Sequence, residues 1–186
     1  MGDSSEPANR VCAVVGVGEG IGAAPARRFA ASYKVALIAR SAEVIGRVAD
    51  EVNASRGLAL PIQSDATIEA RIADAYERII GELGPIEVLI YNGGRRPFGR
   101  LMETSVEVFE ETWRLHTLGA FMWSRQVVPG MLSRGGGSIL ITGATAGIRP
   151  SHLGRIRRSQ VCGAGPRAVD GARSSSSGHP GWIHQC

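Results

Sequence analysis

The chain has 186 residues, 44% of them hydrophobic and 20% charged, which is the make-up of one ordinary globular domain. No apolar run approaches the roughly 20 residues of a membrane span, and the start, MGDSSEPANR, lacks the basic end and apolar core of a signal peptide, so a cytoplasmic, membrane-free protein is expected. The net charge of +4 lies wholly after residue 150, where five arginines meet one acid without interleaved aromatics, so nucleic-acid binding is not expected.

Val11 to Val15 is an apolar run that reads as a buried strand, and Gly16, Gly18, Gly20 and Gly22 follow it at once. A helix-compatible stretch begins at Ala23 and is expected to run to about Ser32. A strand turning sharply into a helix gathers free backbone N–H groups and the positive helix end at one point, which suits phosphate. Side chains would block both the turn and the approach of a pyrophosphate, so a dinucleotide site is predicted here. Pro25 is tolerable only if the helix begins near Ala23, where its missing N–H is not needed.

Further along, Lys34 to Ala39 is the second strand and Ala42 to Arg56 an amphipathic helix. Leu58 to Ile62 is a short third strand. Thr67 is placed to cap a helix carrying Ile68, Ile72, Ala75 and Ile79 on one face, which Gly84-Pro85 ends. Ile86 to Tyr91 is the fourth strand, Val106 to Leu132 a long helical region expected to bend near Pro129, and Ser138 to Thr142 the fifth strand. Strands alternating with helices at this spacing give right-handed crossovers and a parallel sheet. After Pro150 the periodicity stops. Three units follow: a flexible N-terminus over 1–10, a dinucleotide-binding domain over 11–150, and an irregular basic tail over 151–186. Cys12, Cys162 and Cys186 form no paired spacing, so a reducing compartment and no metal site are expected.

Four signals, in order, resemble the short-chain dehydrogenase/reductase family. Gly16-x-x-x-Gly20-Ile21-Gly22 is similar to that family's glycine loop. Asp65-Ala66 resembles its adenine-contacting Asp-Val pair, and Tyr91-Asn92-Gly93-Gly94 its NNAG segment. The run from Phe109 to Gly147 follows its long helix and fifth strand. The resemblance implies a doubly wound α/β sheet of Rossmann type, order 3-2-1-4-5, ending after strand five with an uncovered edge. It implies an oxidoreductase that moves a hydride between a nicotinamide dinucleotide and a small alcohol or carbonyl compound. Gly16, Val17, Gly18, Gly20 and Ile21 would line the pyrophosphate and adenosine side, Asp65 and Ala66 the adenine, and Asn92 and Gly93 the ribose. Where an acid after strand two would grip a ribose 2′-hydroxyl, Arg40 stands instead, which favours NADP with NAD as the alternative. Asp65 could equally cap the helix that follows it. Whether two copies pair is left open.

The family's catalytic residues find no match. Ala144 stands at the serine position, with Thr142 and Thr145 out of register. His116 takes the place of the proton-relay asparagine and is the sole candidate catalytic residue. No tyrosine is followed four residues on by lysine, and Lys34 is the only lysine against 20 arginines. As written, the chain is expected to be inactive or impaired; a non-catalytic dinucleotide sensor or scaffold is the alternative. The tail itself suggests a cause. Join the last two bases of each codon to the first base of the next. Arg155 to Cys162 then admit AAFAAAKFA, or AAYAAAKFA if Ile156 is coded ATA, and the run to Arg173 admits ARALAQSMARE. Gln160 allows only lysine or arginine in that reading, and Asp170 only methionine or threonine. These strings resemble the family's catalytic helix, so a shift of reading frame near Pro150 is expected.

Overall fold

The computed structural model describes residues 9–94, 101–143 and 182–185. Its centre is a parallel sheet built from β1 (Val11–Val15), β2 (Lys34–Ala39), β3 (Leu58–Gln63), β4 (Ile86–Tyr91) and β5 (Ser138–Ile141). The spatial order is β3-β2-β1-β4-β5, as expected, and β6 (Trp182–Gln185) continues the sheet beyond it. β6 pairs in parallel with β5, from Ser138 opposite Trp182 to Ile141 opposite Gln185. The edge of β5 is therefore covered, and four residues of the segment read as irregular form a strand.

β1 is apolar throughout, and β2 and β4 are so apart from Lys34 and Glu87 near their starts, because helices cover both faces of the sheet there. On one face Val11, Ala13 and Val15 pack with Ile72 and Ile79 of α3 (Glu69–Glu82) and with Trp123 and Val127 of α5 (Gly119–Ser133). On the other, Cys12 and Val14 meet Ala23 and Ala26 of α1 (Ala23–Phe29) and Ile45, Val48 and Val52 of α2 (Ala42–Ala54). The amphipathic spacing of α2 and α3 is thus the spacing of one buried stripe.

Pro25 falls in the first turn of α1, where its absent N–H is not needed. That helix stops at Phe29 rather than near Ser32, because the amides of Ser32 and Tyr33 both turn back to the Phe29 carbonyl at 2.9 Å. α2 stops at Ala54, and Arg56 takes a left-handed conformation (φ 62°) that reverses the chain into β3. Ser41 caps α2, its hydroxyl accepting from the Val44 amide at 3.4 Å.

Thr67 does not cap α3. The residue before that helix is Ile68, without a side-chain cap. Asp65 captures Thr67 instead, its Oδ1 accepting from the Thr67 amide at 2.8 Å and hydroxyl at 2.7 Å. The long helical region is likewise not one helix. α4 (Val106–Trp113) leads into a π-helical turn, Arg114–Leu118, before α5 begins, while Pro129 lies inside α5. Arg10 anchors the lower end of the sheet: its guanidinium donates to both Glu87 carboxylate oxygens, at 2.8 and 2.6 Å, and lies 4.4 Å from the Tyr33 ring centroid.

Candidate functional site

The site lies at the C-terminal ends of the strands, where the order reverses between β1 and β4. In an open parallel sheet this is where neighbouring crossovers diverge and leave a crevice. A cleft of about 310 Å³ opens there, lined by Gly16, Val17, Gly18, Arg40, Asp65, Ala66, Asn92 and Gly94 from the sequence reading. Val44, Ser64 and Leu115 also line it and carry no recognisable motif. Gly20, Ile21, Gly93 and His116 are not among its lining residues.

The turn after β1 is held at both ends and open in the middle. The amides of Gly16 and Val17 donate to the Ile38 carbonyl at 2.8 and 3.2 Å, and the Ala23 amide to Gly20 at 3.2 Å. Between them, residues 18–22 donate no backbone hydrogen bond to another described residue. Those amides lie at the start of α1, a place that suits an anion where N–H groups are left free. Gly16 has φ +85°, and a β-carbon there would lie 2.6 Å from the Asn92 backbone. At Gly22 a β-carbon would meet the backbone nitrogen of Gly18 at 2.8 Å. At Gly18 and Gly20 it would meet nothing within 4 Å, so their missing side chains leave space outside the turn. Glu19 would set a negative charge beside an anion, but it is drawn into an ion pair with Arg47 of α2.

Arg40 follows β2 and lines the cleft. Its carbonyl accepts from the Gln63 side-chain amide at 2.9 Å, and its guanidinium forms no ion pair among the described residues. Burial works to raise the Asp65 carboxyl, but the two bonds from Thr67 and the nearby Arg40 prevail and hold it below its ordinary range. A depressed folded-state value stabilises the fold above the unfolded pKa of about 4, and that contribution is lost as pH falls through the folded value. The Glu87 carboxyl is also held down, first by its hydrogen bonds from Arg10. Urea midpoints of the natural chain are therefore expected to fall as pH drops from 5 to 3. The double variant Asp65→Asn, Glu87→Gln should fall less steeply; equal slopes would contradict this assignment.

Asn92 ties β4 to the turn: its amide donates to the Val15 carbonyl at 2.8 Å and its side-chain Nδ2 to the Gly16 carbonyl at 3.0 Å. His116 lies in the π turn with its ring over Gly94, where an added β-carbon would come 3.0 Å from Cε1. Thr142 follows β5, its amide bonded to the Tyr91 carbonyl at 2.9 Å. Ala144 and Thr145 lie outside the described residues, as does the tail apart from β6. Lys34 begins β2, at the opposite end of the strands from the cleft, its Nζ donating to the Asn9 side-chain oxygen and to the Leu83 carbonyl.

Among known proteins, residues 10–155 match the short chain dehydrogenase family. A carbonyl reductase family member 4 from Xenopus tropicalis is 30% identical over 167 residues, covering 89% of this chain and 67% of its own length. A probable tetrahydroxynaphthalene reductase from Zymoseptoria tritici is 30% identical over 155 residues, covering 81% and 57%. Among solved structures, L-sorbose reductase from Gluconobacter frateurii, complexed with NADPH and L-sorbose, is similar with a TM-score of 0.77 at 25% identity, over 83% of this chain and 59% of that one. The chain thus spans 57 to 67% of the length of these two curated relatives.

Proposed function

The chain belongs to the short-chain dehydrogenase family, and from that premise we propose that its cleft binds NADP(H) for hydride exchange with a small alcohol or carbonyl compound. The observation that carries the cofactor preference is Arg40. It stands, unpaired among the described residues, where a carboxylate would otherwise hold a ribose 2′-hydroxyl. A guanidinium fork matches a 2′-phosphate and would not favour a bare hydroxyl.

The residues present fit such a group. The unbonded amides of residues 18–22 take the pyrophosphate, with Gly16, Val17 and Ile21 shaping the turn. Asp65 and Ala66 meet the adenine, and Asn92 and Gly93 the ribose beside β4. Because Thr67 engages Asp65 at Oδ1, Oδ2 is the oxygen offered to an amino group. The nicotinamide, when bound, gives or takes the hydride. The proton that accompanies it needs an acid and a nearby cation, and the one lysine of this chain is at the far end of the strands, at the start of β2. A cytoplasmic location belongs to the same reading, in keeping with cysteines that form no paired spacing.

Fluorescence titration tests the reading. NADPH is expected to bind and NADH to bind more weakly. Arg40→Ala should weaken NADPH by about 10- to 100-fold, the worth of charge-assisted hydrogen bonds, and leave NADH nearly unchanged. Equal losses for both dinucleotides would remove Arg40 from the 2′-phosphate role.

A further inference from the structure

The buried tyrosine at the end of β4 has a partner that the sequence does not announce. Tyr91 is 1% exposed, and burial raises its phenol above the ordinary range, so the hydroxyl stays protonated and donates. It donates to the Leu115 carbonyl, inside the π turn. In an unbroken α-helix that carbonyl would accept from the Gly119 amide, four residues on. Here the Gly119 amide bonds the Arg114 carbonyl instead. The Tyr91 hydroxyl thus fills a place that the extra residue of the turn vacates. Two glycines make room for it. A β-carbon at Gly93 would lie 2.6 Å from the Tyr91 hydroxyl oxygen and 2.7 Å from the ring, and one at Gly119 would run into the hydroxyl.

The turn held in this way carries His116, whose ring lies against Gly94 on the β4 side of the cleft. Arg40 and Asp65 mark the β2 and β3 side, where the adenosine half goes under the reading above. The second half of a dinucleotide crosses the switch point toward β4. We propose that Tyr91 is a positioning residue: its hydroxyl bond to Leu115 sets the π turn that seats His116 against Gly94, facing the nicotinamide half of the cofactor. The seating concerns the chain alone; the facing of the nicotinamide rests on the proposed cofactor.

Tyr91→Phe keeps the ring and removes the bond. In the cofactor-free protein the His116 Cε1–H and Gly94 amide NMR resonances are expected to move, while those of Arg40 and Val44 stay. Gly119→Ala, whose methyl meets the Tyr91 hydroxyl and the Ala66 carbonyl, is expected to move the same two resonances together with the Ala66–Thr67 amides, and serves for the cofactor-free readout if the first variant does not fold. Unmoved His116 and Gly94 signals in a folded variant overturn the proposal. On titration, Tyr91→Phe is expected to weaken NADPH about fivefold, in line with one neutral hydrogen bond, and to leave adenosine 2′,5′-bisphosphate unaffected. Equal weakening of both ligands also overturns it. If the natural chain binds neither ligand while the cofactor-free resonances move as stated, the cofactor reading fails and the positioning stands.

Discussion

Replacing Gly16 by alanine is expected to lower stability by about 3 kcal/mol or more, combining the left-handed cost for a residue with a side chain and a small-to-large clash. The residue is at φ +85°, and the added methyl would lie 2.6 Å from Asn92 C and O and from Gly93 N. Those are backbone atoms at the end of β4, and the Asn92 amide is bonded to Val15 at 2.8 Å, so they cannot retreat without parting β1 from β4. A marginal stability of roughly 5–15 kcal/mol leaves little room for such a loss. The variant should show a much lower urea midpoint and no NADPH binding. Gly18→Ala is the control. A β-carbon there meets nothing within 4 Å, so its midpoint is expected to shift by less than about 0.5 kcal/mol in stability terms. NADPH affinity should nevertheless fall, because the methyl enters the cleft. A stable Gly16→Ala protein would contradict the packing argument. A Gly18→Ala protein that binds NADPH as the natural chain does would move the phosphates elsewhere.

The second large effect concerns turnover. The chain as written is expected to bind NADPH without oxidising it in the presence of ketones, whereas a gene rejoined in the alternative frame near Pro150 should encode the lysine-bearing helix. General acid–base groups contribute about 10²- to 10⁴-fold to rate, so the rejoined protein is expected to exceed the present one by at least that lower bound, given a tyrosine from an ATA codon at Ile156. The coding DNA decides the matter first. It should read open past Cys186 in the frame that turns Gln160 into lysine or arginine. An early stop codon in that frame would refute the shift, and ketone-dependent NADPH oxidation by the present chain would refute the inactivity.

Much of the fold was legible because parallel strands covered on both faces must be apolar throughout, and helices between them must carry one stripe. Val11 to Val15, Lys34 to Ala39 and Ile86 to Tyr91 are therefore strands at the predicted bounds. Helix ends were less legible. α1 ended early when Phe29 captured two later amides, and Thr67 was taken by Asp65 before it could cap α3. Both are competitions among local hydrogen bonds of similar strength, which spacing alone does not rank. Of the proposed cofactor residues, Gly16, Arg40, Asp65 and Asn92 stand out by type and place, while Val44, Ser64 and Leu115 meet the cleft only because α2, the end of β3 and the π turn border the same crevice.

The chain's own order of residues determined the strand, glycine turn and helix around Gly16 to Gly22, since each step there depends on neighbours a few positions away. It determined as well that Arg40, not an acid, follows β2. Tertiary structure alone decided the break in the long helix. The π turn is held by a hydroxyl from Tyr91, 24 residues before its Leu115 acceptor and on another element, and no local propensity carries that bond. It also decided where β6 lies, because a strand of four residues beside β5 is defined by its parallel partner and not by its own short pattern.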